Sequence, residues 1–294
     1  MALRPRENPV VASAVRNMLA SRRRIRRVGP IPPPAAAERA YRVQIIKKLQ
    51  IAKDIVRDIL VAELPRIQRE ALDSVARRDA YGDDIKTGMR IIRLRYETEV
   101  GEEELRGIAS EAARSTASFQ GSQLNRRFKR VIGIDVDSMY PDARRDIEAF
   151  TADNVGLIES VSRQYFDDVQ QVALRNLRAG RRFLEWSGEL EKRFEISQSR
   201  AALIARDQTN KFNGELNRVR QTALGVKTYI WRSVGDPRVR ETHQDFDGNT
   251  YAWSGQPKPP EGHPGQPINC RCSAEPDVLS VLTALEQRRF RAAA

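Results

Sequence analysis

Both histidines and both cysteines of this chain fall between Asp236 and Cys272, as His243, His263, Cys270 and Cys272, together with Glu241, Asp245, Asp247 and Glu261. Imidazole nitrogen and thiolate sulfur are the preferred ligands of tetrahedral zinc. The segment is rich in Pro and Gly and has little apolar material of its own, so a bound ion would supply folding energy that packing cannot. The expected ligand set is therefore His243, His263, Cys270 and Cys272, with His243, Asp245, Cys270 and Cys272 as the alternative. The Cys-x-Cys spacing is less specific than paired Cys-x-x-Cys knuckles. It also leaves open two free thiols, or a disulfide closing a small strained ring.

The same residues can be read as catalytic. A metal with an open position can activate water, with Asp245 or Asp247 as base, which is how a metal-dependent DNA-processing enzyme would work. Cys270 or Cys272 beside His243 has the residue types of a nucleophile and its base. No G-x-x-x-x-G-K-[ST] or G-x-G-x-x-G run occurs, so nothing points to nucleotide binding. Asp135 and Asp137 form a D-x-D pair, but aspartate at a helix entry is an ordinary capping choice. The non-catalytic reading is a braced loop. In it Asp236 pairs with Arg238 or Arg240 across a turn, Asp247-Gly248 makes a second turn, and Trp231 and Trp253 close a small aromatic core. Architecture is favoured over catalysis, and the chain is not expected to be an enzyme.

The elements that must hold these residues are mainly helical. Apolar positions recur at helical spacing over 35–63, 67–80, 85–94 and 102–119, with Pro65 and Tyr81-Gly82-Asp83-Asp84 as interruptions. A helix is expected to start at Thr151 or Asp153 and to end at Gly180; two more span 184–194 and 197–224, the last capped by Ser197 or Ser199 and ending at Gly225. Lys227–Ser233 and Thr250–Trp253 are β-branched and aromatic, which reads as a small β element. The fold class is α+β, mainly α-helical, with a small C-terminal β element in a loop-rich module.

Composition narrows the partners. The chain has 294 residues, 31% of them charged, and a net charge of +12. No apolar run approaches the roughly 18–20 residues a membrane helix needs, so no membrane partner is expected. Two closely spaced cysteines suit a reducing compartment. Residues 1–27 carry eight arginines against one glutamate, followed by the proline-rich Gly29–Pro34. The stretch Pro9–Val15 is short for a secretory signal and is read as mature protein. This looks like a basic arm on an extended spacer, with Arg22, Arg23, Arg24, Arg26 and Arg27 suited to DNA phosphates.

The ordered motifs Ala202-Leu203-Ile204-Ala205-Arg206-Asp207-Gln208-Thr209, Gly225-Val226 to Trp231, Asp236-Pro237-Arg238-Val239-Arg240-Glu241-Thr242-His243, Asp247-Gly248 and Asn269-Cys270-Arg271-Cys272 come in a fixed order. The string resembles the Mu F-like family of phage head morphogenesis proteins over about 180–276, and more loosely from about 131. Where the family more often has a Thr-Glu pair after the arginine, this chain has Asp207-Gln208-Thr209. The resemblance implies a minor capsid protein of the virion. Such a protein acts in head assembly near the portal, with portal protein, major capsid or scaffolding protein and packaged double-stranded DNA as partners. It implies residence in the head interior or portal vicinity, after assembly in the host cytoplasm. The expected division is a basic arm and spacer over 1–34, a helical region over 35–130, the Mu F-like module over 131–277 and a basic tail over 278–294. That short tail is not expected to hold a fused toxin or enzyme domain.

Overall fold

The computed structural model describes residues 8–21, 27–64, 66, 80–284 and 286–288. Its helices are α1 (Pro9–Ala20), α2 (Ala35–Val56), α3 (Ala80–Glu99), α4 (Glu102–Ile132), α5 (Arg144–Arg178), α6 (Phe183–Ala223) and the short α7 (Glu241–Asp245). The strands are β1 (Thr228–Arg232), β2 (Thr250–Ala252) and β3 (Ser273–Pro276). The chain is mainly helical with a small antiparallel sheet near the C-terminus, as expected. Pro65 and most of the 67–80 segment lie outside the described residues.

Helices run further than their local signals suggest. Tyr81-Gly82-Asp83-Asp84 is the first turn of α3 rather than a break, because Ile85, Met89, Ile92 and Tyr96 form a buried stripe that carries the helix through it. Thr151 and Asp153 lie inside α5, and Ser197 and Ser199 lie inside α6. With no Pro at these points, continued packing outweighs the preference of serine, threonine and aspartate for caps. The ends at Gly180 and Gly225 are as expected. Arg181 N–H bonds to Asn176 O and Val226 N–H to Gln221 O, both at 3.0 Å, in the hydrogen-bond pattern that closes a helix on glycine.

Contacts divide the chain into two units, each made from discontinuous segments. The first comprises Met1–Glu38, Ala112–Ala149 and Arg206–Ala294; the second comprises Arg39–Glu111 and Phe150–Ala205. The second is a helical bundle with an aromatic interior. Tyr96 meets Phe166 edge-on at 5.3 Å, Tyr165 meets Phe194 at 5.8 Å, and the Tyr41 hydroxyl donates to Asn154 Oδ1 at 3.0 Å.

The first unit corrects the picture of a free basic arm. Val11, Ala12 and Val15 of α1, then Val28 just before the proline-rich stretch and Ile31 within it, are fully buried with Leu124, Phe128, Leu224 and Val226. Apolar residues every three to four positions make 9–20 an amphipathic helix that packs, and arginine content does not prevent this. The segment read as a basic tail likewise begins inside the core, where Val278, Val281 and Leu282 are buried. Arg22, Arg23, Arg24 and Arg26 lie outside the described residues, and Arg27 is exposed.

The sheet has strand order β2-β1-β3, all antiparallel. On central β1, Tyr229 and Trp231 face inward, with Tyr229 opposite Tyr251 and Trp231 opposite Ala274. β3 carries no β-branched residue, so its sequence gives no strand signal. It is held by the free edge of β1 and by an ion pair between buried Glu275 and Arg232.

Candidate metal centre

His243 comes from α7, directly after the turn at Asp236–Arg240, while Cys270 and Cys272 lead into β3. The imidazole stands edge-on to Trp231, with centroids 5.2 Å apart, and this fixes the ring plane above the sheet. His243 Nδ1 lies 3.5 Å from Cys272 Sγ and 3.7 Å from Cys270 Sγ, and all three side chains are buried. On the opposite edge, Nε2 meets Glu261 Oε2 at 3.2 Å. Donation of Nε2–H to that carboxylate places the ring's lone pair on Nδ1, facing the sulfurs. The Thr242 hydroxyl, then His243 and Arg240, hold the Glu261 carboxyl below the usual range, so it is a permanent acceptor.

The two thiols differ. A hydrogen bond from Cys272, helped by the Gly265 N–H at 3.4 Å, pulls the Cys270 thiol down to about 6 despite its burial. Cys272 is pushed up, first by its bond to Cys270 and then by burial. Both cysteines are free, so the site holds no disulfide.

His263 is not with them. Its Nδ1 pairs with the Tyr229 hydroxyl at 2.8 Å and its ring packs 5.1 Å from Trp253. Burial lowers its pKa to about 4. Asp245 is exposed and stands outside the His/Cys group. Among the described residues, the group whose ligand atoms lie within 4.8 Å of one another is His243, Cys270 and Cys272. Of the four-ligand sets expected from sequence, the structure brings these three residues together. A cavity of about 60 Å³ touches all three and is lined also by Arg238, Arg240 and Asn269.

The surrounding loop is closed by hydrogen bonds, and Asp236 pairs with Arg271 rather than with the Arg238 or Arg240 side chain. Asp236 takes both guanidinium nitrogens of Arg271, the residue between the cysteines, and Arg238 contributes only its backbone N–H, at 3.0 Å. Arg240 instead donates to Ile268 O at 2.9 Å. Asp247 Oδ1 accepts Ser233 N–H at 2.8 Å, and Gly248 N–H bonds to Trp231 O at 2.9 Å, closing the second turn. Trp231 and Trp253 share one aromatic cluster with Tyr229, Tyr251 and both cysteines. Asp135 Oδ1 accepts the Asp137 N–H at 3.1 Å, but the helical turn Asp137–Met139 starts from Val136 without a side-chain cap, so the pair does not cap a helix as expected.

What sequence reasoning missed is the scaffold beneath the loop. Asp207, Asn210, Gly214, Asn217 and Gln221 follow three- and four-residue steps along α6, so they share one face. Asp207 Oδ1 accepts Asn269 N–H at 2.8 Å, Asn217 and Gln221 both donate to Ala274 O at 3.0 Å, and Trp253 Nε1 donates to Gln221 Oε1 at 3.1 Å. Between them the backbone of Pro264-Gly265 lies directly on Gly214, where a Cβ would stand 2.5 Å from Pro264 O. The signal was a polar stripe at helical spacing with a glycine in it, on a helix otherwise amphipathic.

Residues 167–275 match the family model described as Phage Mu protein F like protein. Over this stretch the chain is similar to the Mu F-like proteins. The match runs from within α5 to β3, and so contains the polar face of α6, the sheet and all three candidate ligands. A relative from Haemophilus influenzae, described only as an uncharacterized protein, is 27% identical over 254 residues, or 85% of this chain. The chain spans about half of that relative's length, 55%. No solved structure matches the chain. The Mu F-like family is one of phage head morphogenesis, and no helix among the described residues is long and apolar enough to cross a membrane.

Proposed function

We propose that this chain is a structural minor head protein of a tailed phage, acting in head assembly near the portal and contacting packaged double-stranded DNA. The observation that carries the reading is the Mu F-like match, which coincides with a densely braced module rather than an open catalytic cleft. Asp245 and Asp247, the candidate bases, lie outside the His/Cys group, and Asp247 is engaged in a turn. The partners in this reading are portal protein and major capsid or scaffolding protein. Arg22, Arg23, Arg24, Arg26 and Arg27, with the chain's net charge of +12, suit the DNA contact.

The test is quantitative mass spectrometry of DNA-filled particles and empty precursors, normalised to the portal and major capsid proteins. A few to a dozen or so copies per particle is the expected result. Absence from both kinds of particle would refute the reading and favour an enzyme acting before or outside assembly.

A further inference from the structure

We propose that His243 Nδ1, Cys270 Sγ and Cys272 Sγ hold one zinc ion, whose fourth position is filled through the arginine-lined cavity by water or a small anion instead of by a fourth side chain of this chain. The argument is geometric. With zinc–sulfur bonds of about 2.3 Å and zinc–nitrogen bonds of about 2.0–2.1 Å, a tetrahedral ion sets its nitrogen and sulfur ligands about 3.6 Å apart. The structure has these atoms at 3.5 and 3.7 Å. A sulfur–nitrogen hydrogen bond would account for one such distance, but it does not require both sulfurs to converge on the same lone pair.

Three further observations agree. The ligand side chains are buried, so solvent would reach the ion only through the cavity. Glu261 holds His243 by the opposite nitrogen, the outer carboxylate that a ligating imidazole ordinarily has. All three ligands also line the cavity, where Arg238 adds positive charge rather than a donor to the metal, while Arg240 lies 3.6 Å from the Glu261 carboxylate. That charge favours an anion as the incoming group. The inference goes beyond the head-assembly reading and does not depend on it, since one is read from purified protein and the other from particle composition.

The experiment uses the full chain. Metal analysis after dialysis should find about one zinc per chain. Replacement by cobalt(II) should give sulfur-to-metal charge-transfer absorption and the strong visible bands of a four-coordinate ion. Cys270→Ser should remove about half of the charge-transfer intensity, and Glu261→Gln should weaken cobalt binding by about 10–100-fold. His263→Gln should leave both spectrum and affinity unchanged. Azide added to the cobalt form should shift the visible bands. No sulfur charge transfer in the unsubstituted chain would overturn the site, a result that needs no variant to fold. Weakening of the metal by His263→Gln as severe as that by Cys270→Ser, or visible bands that azide leaves unmoved, would overturn the open fourth position.

Discussion

Gly214→Ala sets two effects of opposite sign against each other. In a helix interior, alanine in place of glycine normally stabilises by about 0.5–1 kcal/mol, because it reduces the chain entropy lost on folding. At Gly214 the new Cβ would lie 2.5 Å from Pro264 O and 3.3 Å from the Gly265 Cα. Those atoms are backbone, so no side chain can swing aside. The approach is close from the other side as well, since a Cβ on Gly265 would meet Asn210 O at 2.7 Å. Pushing the loop off the helix costs about 1–3 kcal/mol, on the scale of overpacking a filled interior. Set against the helix gain, the clash leaves a net loss of up to about 2.5 kcal/mol. Gly156→Ala, in α5 with nothing near its Cβ, should show the helix gain alone. Urea unfolding followed by tryptophan fluorescence gives the two stabilities, since Trp231 and Trp253 report on the first unit and Trp186 on the second. Hydrogen exchange over 262–272 should accelerate in Gly214→Ala. If Gly214→Ala were as stable as Gly156→Ala, the close seating of the loop on α6 would be wrong.

Acid should weaken the aromatic layer through His263. Its folded pKa of about 4 lies below the ordinary 6.5, so above pH 6.5 both states are neutral and nothing is lost. Between pH 6.5 and 4 the unfolded chain takes up a proton that the folded chain refuses, and stability falls by at most about 3 kcal/mol. Chemical denaturation at several pH values should therefore show a shallower acid loss in His263→Gln, and equal slopes in variant and unsubstituted chain would refute this. Asp236→Ala and Arg271→Ala should each speed hydrogen exchange in the 234–240 turn, and the double variant should add little to either; additive effects would mean the two groups act separately. Replacing the five arginines between Arg22 and Arg27 with glutamine should flatten the salt dependence of duplex DNA binding, measured by fluorescence anisotropy, by up to about 4 in log–log slope. An unchanged slope would move the DNA contact elsewhere on the chain.

The sequence carried the helices, the β1–β2 pair and the chemical neighbourhood of the site, because helical periodicity, aromatic alternation and clustered His and Cys are local signals. It did not carry helix length, since Gly82 and Ser197 are punctuated only when no long-range packing overrides them. It did not carry β3, whose Ser-Ala-Glu-Pro is a strand only because β1 has a free edge. The choice between His243 and His263 was also beyond local reading. Both are buried histidines in the same loop-rich stretch, and what separates them is a hydrogen-bond partner: Glu261 behind one ring, and the Tyr229 hydroxyl on the other. Arg271 shows the same limit, since a pairing of Asp236 across 35 residues leaves no trace in spacing.

The module's strands are three to five residues long, and sheets of that size seldom hold themselves. Two supports compensate. One is the polar face of α6, which ties Asn269, Pro264-Gly265 and Ala274 at successive turns of a single rigid helix. The other is the meeting of His243 with Cys270 and Cys272, which joins the α7 turn to the strand entering β3. These supports hold different residues of the same segment, and neither substitutes for the other. Loosening the helix face frees the loop to slide along α6, whereas loosening the His/Cys meeting frees α7 from β3 while Asn269 stays anchored on Asp207. Exchange patterns over 241–245 and 262–272 should therefore separate the two kinds of damage. Cys270→Ser would expose the first segment before the second, and Asp207→Asn would do the reverse. Equal exposure of both segments in both variants would mean that the loop has a single point of support.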